Sequence, residues 1–141
     1  MDSTKRLGLL GELKAQYDFV KAGWNVSVPL GDYCTYDLIA IKNDKSLRIQ
    51  VKTTEKIKDG KMEFHIKSKN YYVDKFYTEK DADIFYLYCL ENETAYLLPI
   101  KEAPTGGTWY LRTEPTKNNQ IKGINFDYNY IFDKKLKEID I

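Results

Sequence analysis

Two β-rich runs, residues 36–42 (YDLIAIK) and 47–54 (LRIQVKTT), flank the polar stretch Asn43-Asp44-Lys45-Ser46. No other stretch constrains the fold as strongly, because β-rich runs around a short polar turn close into an antiparallel hairpin. With Lys42 paired to Leu47, Asp37 stands opposite Lys52 and Ile39 opposite Gln50. Side chains alternate with period two, so Asp37, Gln50 and Lys52 project from one face at one end of the hairpin. Leu47, Ile49 and Val51 take the other face, toward a core. A one-residue slip would invert the assignment.

The hairpin sits among elements of both kinds. Residues 4–22 read as a helix, with Ser3 as N-cap and Gly23 as the left-handed stop. At near 100° per residue, Leu9, Leu10, Leu13, Tyr17 and Val20 share one arc, the expected core face, and Glu12 falls at its edge beside Gln16 and Phe19. Gly8 and Gly11 each cost roughly 1 kcal/mol of helix propensity, and beside Glu12 they would let another backbone come close. Further strands are expected at 25–28, 62–67 and 108–113, and a second hairpin at 84–90 and 95–100 around a 91–94 turn. Residues 71–80 read as helix or loop, and 128–139 carries aromatics and Lys at roughly helical spacing. The expected fold class is α/β, an α+β mixed sheet, in a single domain over residues 1–141.

Composition removes several functions. At 141 residues the chain can bury a core without a disulfide or metal staple. Its two Cys, Cys34 and Cys89, form no CxxC pair, and one His, His65, cannot build a His-rich zinc site or an HNH-type centre. No apolar run approaches a membrane span of about 20 residues, and no secretory signal core is present, so a reduced, cytoplasmic protein is expected. The net charge of +1 excludes a nonspecific nucleic-acid coat. That average conceals a basic region from Lys42 to Lys69, nine basic residues against four acids, and an acidic one from Glu79 to Glu102, six acids against two Lys.

A carboxylate, an amide and an amine on adjacent strands suit a hard divalent cation. The Asp37 carboxylate, the Gln50 amide oxygen and the Val51 carbonyl are three oxygen donors, with water and phosphate oxygens left to complete an octahedron. Lys52 would then lie beside the metal-activated water, to orient it, help deprotonate it or stabilise charge on phosphorus. The simpler reading is a cross-strand Asp37–Lys52 ion pair worth a few tenths of a kcal/mol. An acid at the edge of a buried face, Glu12, wants a partner, and a helix packed beside this sheet would bring it to the same end of the hairpin.

Glu12 in GLLGELKAQYDFVKAGWNVSVP, Asp37 in YDLIAIK and Gln50-Val51-Lys52 in LRIQVKTT together resemble the PD-(D/E)XK nuclease superfamily, in the arrangement of group I intron-encoded homing endonucleases and Holliday junction resolvases. The likeness is strong over the first 55 residues, and more diffuse in AYLLPI, TWYLRT and TKNNQIKGINF. Tyr36 replaces the Pro of the motif. Gln50 replaces its usual acid, as in the intron-encoded group, which removes one negative charge and should weaken a second metal ion. The resemblance implies a restriction-endonuclease-like core with the active site on the hairpin after the N-terminal helix. It implies Mg2+ or Mn2+ held principally by Asp37 and by Glu12 directly or through water, with Gln50 a ligand or water-positioning group and Lys52 activating or orienting the attacking water. It also implies double-stranded DNA as substrate, and a homodimer or homotetramer, since one site per chain cuts one strand.

Phosphate contacts are expected around Lys52 from Arg48, Lys56, Lys58, Lys61, Lys67 and Lys69. Arg112, Lys117, Asn118, Asn119, Gln120 and Lys122 offer donors that read base edges or grip phosphates, against the simpler reading of 118–120 as a polar loop. His65 reads as structural or phosphate-facing, and Tyr86, Tyr88 and Tyr96 as sheet packing or an oligomer interface. The leading expectation is a Mg-dependent, site-specific double-strand DNA endonuclease of the homing type. The alternatives are a Holliday junction resolvase and a DNA-binding protein with a decayed site, the last motivated by Gln50.

Overall fold

The structure, a computed structural model, describes residues 3–69, 74–104 and 107–139. Its centre is a five-stranded mixed sheet in the order β1-β2-β3-β7-β8: β1 (Asn25–Ser27), β2 (Leu38–Lys42), β3 (Lys45–Thr54), β7 (Ile84–Cys89) and β8 (Thr94–Pro99). Only the β3–β7 pair is parallel. All six residues of β7 are buried, as its uninterrupted IFYLYC run requires of a strand covered on both faces. A ribbon of β4 (Lys61–His65) and β9 (Thr108–Arg112) and a short pair, β5 (Lys67–Lys69) with β6 (Asp74–Phe76), complete the strands.

The sheet separates two cores. On one face α1 (Ser3–Lys21) and α2 (Phe132–Ile139) cover Leu38, Ala40, Ile49, Val51, Ile84 and Tyr86 with Ala15, Phe19, Phe132 and Leu136. On the other, Met62 and Phe64 of β4 and Trp109 and Leu111 of β9 cover Phe85, Leu87 and Leu98. Tyr86, Tyr88 and Tyr96 are core residues of the sheet. No described helix is long and apolar enough to cross a membrane.

Three expectations change. The first hairpin turns on two residues, Asn43 and Asp44, with Lys42 paired to Lys45, because Asn43 adopts the left-handed conformation (φ 54) that Asn tolerates. Partners therefore move by two positions, ending at Leu38–Ile49, and the Asp37 N–H bonds to the Ile49 carbonyl, so Asp37 does not stand opposite Lys52. A shift of two preserves the faces, so Ile49 and Val51 are buried in the helix-side core as the period-two argument requires.

The second change concerns α1. Gly11, Ala15 and Phe19 are buried, whereas Leu9, Leu10, Leu13, Tyr17 and Val20, the expected core face, are exposed. Apolar side chains lie on both sides of this helix, and the side that carries Gly11 lets its backbone close on a sheet surface built from Val51 and Thr53. Gly11 meets that surface: a methyl there would overlap Thr53 Cγ2, whereas Gly8 has open space. The third change is in the undecided 71–80 segment, where 71–73 lie outside the described residues and Asp74–Phe76 form a strand.

Candidate active site

Just before β2 begins, the Asp37 carboxylate continues its hydrogen bonding to β3. The Asp37 N–H donates to the Ile49 carbonyl (2.8 Å), and its Oδ2 then accepts from the Val51 N–H (2.7 Å), a donor that the next residue of a longer strand would have met. Alternate residues of β3 serve opposite neighbours: the Arg48 and Thr54 carbonyls accept from Asp83 and Leu90 N–H on the β7 side (2.9 Å each). In an extended strand the N–H and C=O of one residue point to the same edge, so the Val51 carbonyl faces the Asp37 side.

Glu12 reaches this point because Gly11 seats α1 on β3. Asp18, farther along the helix, accepts a hydrogen bond from the buried Tyr86 hydroxyl and holds Lys14 at 3.2 Å, which fixes the helix against β7. Glu12 and Asp37 are hydrogen-bonded to each other. Burial first, then the Asp37 charge and the shared hydrogen bond, lift the Glu12 carboxyl above its ordinary range. Burial also lifts Asp37, against the Val51 N–H, the Lys52 charge and Glu12, all of which favour its ionised form. Both carboxyls are thus held above their ordinary range, and two acids in hydrogen-bond contact titrate as a unit. Burial pushes the Lys52 ammonium below the usual lysine range, with Asp37 opposing, and its Nζ lies 5.0 Å from the centre of the Tyr77 ring.

Glu12, Asp37 and Lys52, predicted from three separate segments, are therefore brought together. Gln50 is half-buried, two residues before Lys52 on the same face of β3. The donors that converge are the two carboxylates and, on the Asp37 side of β3, the Val51 carbonyl. All are hard oxygens, a set that fits Mg2+ or Mn2+ and not zinc. Among the described residues no group of three or more His, Cys, Asp or Glu is placed to hold a metal.

The residues expected to touch DNA divide. Arg48 is engaged inside the fold: its guanidinium contacts Asp83 at 3.1 Å and donates to the carbonyls of Lys80 (2.8 Å) and Glu79 (2.6 Å). Arg112 likewise donates to the Glu114 and Pro115 carbonyls. Asn118 Oδ1 accepts from Gln120 N–H, the Gln120 amide donates to the Lys122 carbonyl, and Asn119 is left-handed (φ 56), so these residues build an exposed loop. Lys56, Lys58 and Lys117 are exposed and Lys67 half-buried, and the Lys69 side chain lies outside the described residues. His65 is exposed, 3.8 Å from Glu63.

Sequence reasoning missed Tyr77, whose ring caps Lys52, and Tyr110, which joins Lys58, Lys61 and His65 in a groove beside Thr53 and Thr54. Alternation along TWYLRT carries the Tyr110 signal, since buried Trp109 and Leu111 turn it outward. Nothing local marks Tyr77.

A family model described as PD-(D/E)XK endonuclease matches residues 2–133. No curated protein matches the chain. Among solved structures, that of a bacterial homing endonuclease, I-Ssp6803I, is similar over 99% of this chain and 95% of its own, with a TM-score of 0.79 and 25% sequence identity.

Proposed function

Because this chain belongs to the PD-(D/E)XK endonuclease family and is a DNA endonuclease, we propose that it cuts both strands of a specific DNA duplex in the manner of a homing endonuclease, with Mg2+ as cofactor. The observation that carries the chemistry is the convergence of Glu12, Asp37 and Lys52 at the open end of the β2–β3 hairpin. Likeness to a bacterial homing endonuclease over nearly the whole chain supports the homing mode above junction resolution. Unpaired Cys34 and Cys89 suit a reducing, cytoplasmic setting.

Asp37, Glu12, the Val51 carbonyl and the Gln50 amide oxygen would hold the ion. Bound there, Mg2+ supplies Lewis-acid polarisation of a phosphate and a lowered pKa for water. Glu12 and Asp37 would serve as ligands in their ionised form. Lys52, lowered by burial, is suited to orient the attacking water and exchange a proton with it. Tyr77 covers the Lys52 ammonium and restricts its reach. Glu12 would supply the second carboxylate that Gln50 does not, which supports an active site over a decayed one.

The test is cleavage of a randomised duplex library in Mg2+, with recovery and sequencing of the cut sites. A defined target cut with Mg2+ and spared in EDTA is expected. Symmetric cutting of four-way junctions in preference to every duplex would transfer the assignment to a resolvase, and retained DNA affinity without turnover would mark a decayed site.

A further inference from the structure

We propose that the loop between β1 and β2 is a DNA wedge: Leu30 enters a base step near the scissile phosphate from the minor groove, and Tyr33 covers the neighbouring sugars. The proposal rests on the chain being a DNA endonuclease and not on its homing mode. Leu30 and Tyr33 are 90 and 81% exposed, the two most exposed large apolar side chains among the described residues.

The loop is anchored at both ends. At its exit the Thr35 hydroxyl donates to the Asp81 carbonyl (2.7 Å), Tyr36 packs against the second core and the Asp37 N–H bonds to the Ile49 carbonyl. At its entry Ser27 pairs with Ile39. Between these anchors Gly31 is left-handed (φ 84), and the Tyr33 ring lies against it so closely that a Cβ there would meet the ring at 2.8 Å. Glycine thus both turns the tip and seats the ring.

Position and composition point to DNA. Tyr33 precedes Asp37 by four residues and Leu30 by seven, so even a fully extended chain keeps them within about 14 and 25 Å of Asp37. A duplex with a phosphate at Asp37 and Lys52 repeats after about 34 Å, which places both side chains within one helical turn of the cut. Residues 28–36 contain no Lys or Arg and one acid, Asp32, so the loop gains nothing from phosphates. Apolar side chains of this kind act on DNA by wedging base steps from the minor groove. Together the two expose roughly 300 Å2, short of the about 1,000 Å2 of a specific protein interface, whereas a single leucine fills a base step.

The test places 2-aminopurine, which brightens when unstacked, at each step within one turn of the cut in the duplex recovered from the library, bound in EDTA. If no sequence is preferred, a duplex of easily kinked TA steps takes its place, so loss of the homing reading leaves the wedge testable. The wild-type chain should brighten one step at least threefold. Leu30→Ala should lose most of that rise and slow single-turnover cleavage in Mg2+ at least tenfold, Leu30→Met should keep both, and Tyr33→Ala should weaken binding about tenfold. Circular dichroism, melting and the salt dependence of binding should match wild type in all three, because no phosphate contact is removed. A wild-type chain that binds without brightening any step overturns the proposal, as does full brightening by Leu30→Ala. So does a smaller salt slope in Leu30→Ala, which marks a phosphate contact. Weakening by uracil in place of thymine without brightening would replace the wedge by a methyl contact in the major groove. Dissociation of an assembled chain by Leu30→Ala, with brightening retained, would make the loop a contact between copies instead.

Discussion

Lys52 is held where a lysine resists its charge, and the cost is sustained by Asp37 and the face of Tyr77. Removing the amine while keeping the packing isolates its chemical part. Lys52→Met is expected to fold normally and to lose on the order of 10²–10⁴ in single-turnover cleavage, the contribution of one positioned proton-transfer group. The carboxylate pair makes a different prediction. Both carboxyls keep their proton to higher pH in the folded chain than in the unfolded one. That preference stabilises the fold fully below the ordinary carboxylate range and is lost as pH rises through the raised values. Asp37→Asn, which keeps an acceptor for the Val51 N–H, is therefore expected to melt a few degrees higher than wild type at neutral pH without metal. The advantage should shrink toward pH 4, and cleavage should be abolished. Differential scanning calorimetry across pH checks the sign: a variant less stable at neutral pH would show that the pair is held ionised without strain.

The contact between α1 and β3 sets how far Glu12 stands from Asp37. Two glycines four sequence positions or fewer from Glu12 look equivalent in the chain, yet only Gly11 meets the sheet. Replacing Gly8 by Ala should stabilise the protein by up to about 1 kcal/mol, the gain in helix propensity. Gly11→Ala has the same gain but forces a methyl against Thr53, and overpacking costs typically 1–3 kcal/mol, so a net loss is expected. Trimming the opposing residue with Thr53→Ser should recover most of that loss and the accompanying drop in cleavage, because both follow from lifting Glu12 off the sheet. Chemical denaturation of the single and double variants measures the coupling directly.

Across the whole molecule, the site stores charge that a ligand relieves. Mg2+ at about 100 times its dissociation constant is expected to stabilise the wild-type fold by roughly 2.7 kcal/mol, and to leave Asp37→Asn much less affected. Thermal melts with and without EDTA read this without any DNA. The chemistry was legible from residues alone because strand alternation is rigid: Asp37, Gln50 and Lys52 share a face in either register, since a slip of two keeps parity. The strands of the second hairpin and the ribbon were legible for the same reason, their β-rich runs ending at polar turns. Helices offer no such certainty. The Leu9, Leu10, Leu13, Tyr17 and Val20 arc carries a strong apolar period, and only the packed structure reveals that the sheet took the Gly11, Ala15 and Phe19 side, where Gly11 lets the helix backbone close on Thr53 and Val51. The basic residues behave likewise: Arg48 and Arg112 count as cations in the chain but are consumed by Asp83 and by turn carbonyls once folded. Local chemistry and period were thus written in the order of residues, whereas the choice of which apolar face is buried and which charge is free belongs to contacts between segments far apart in the chain.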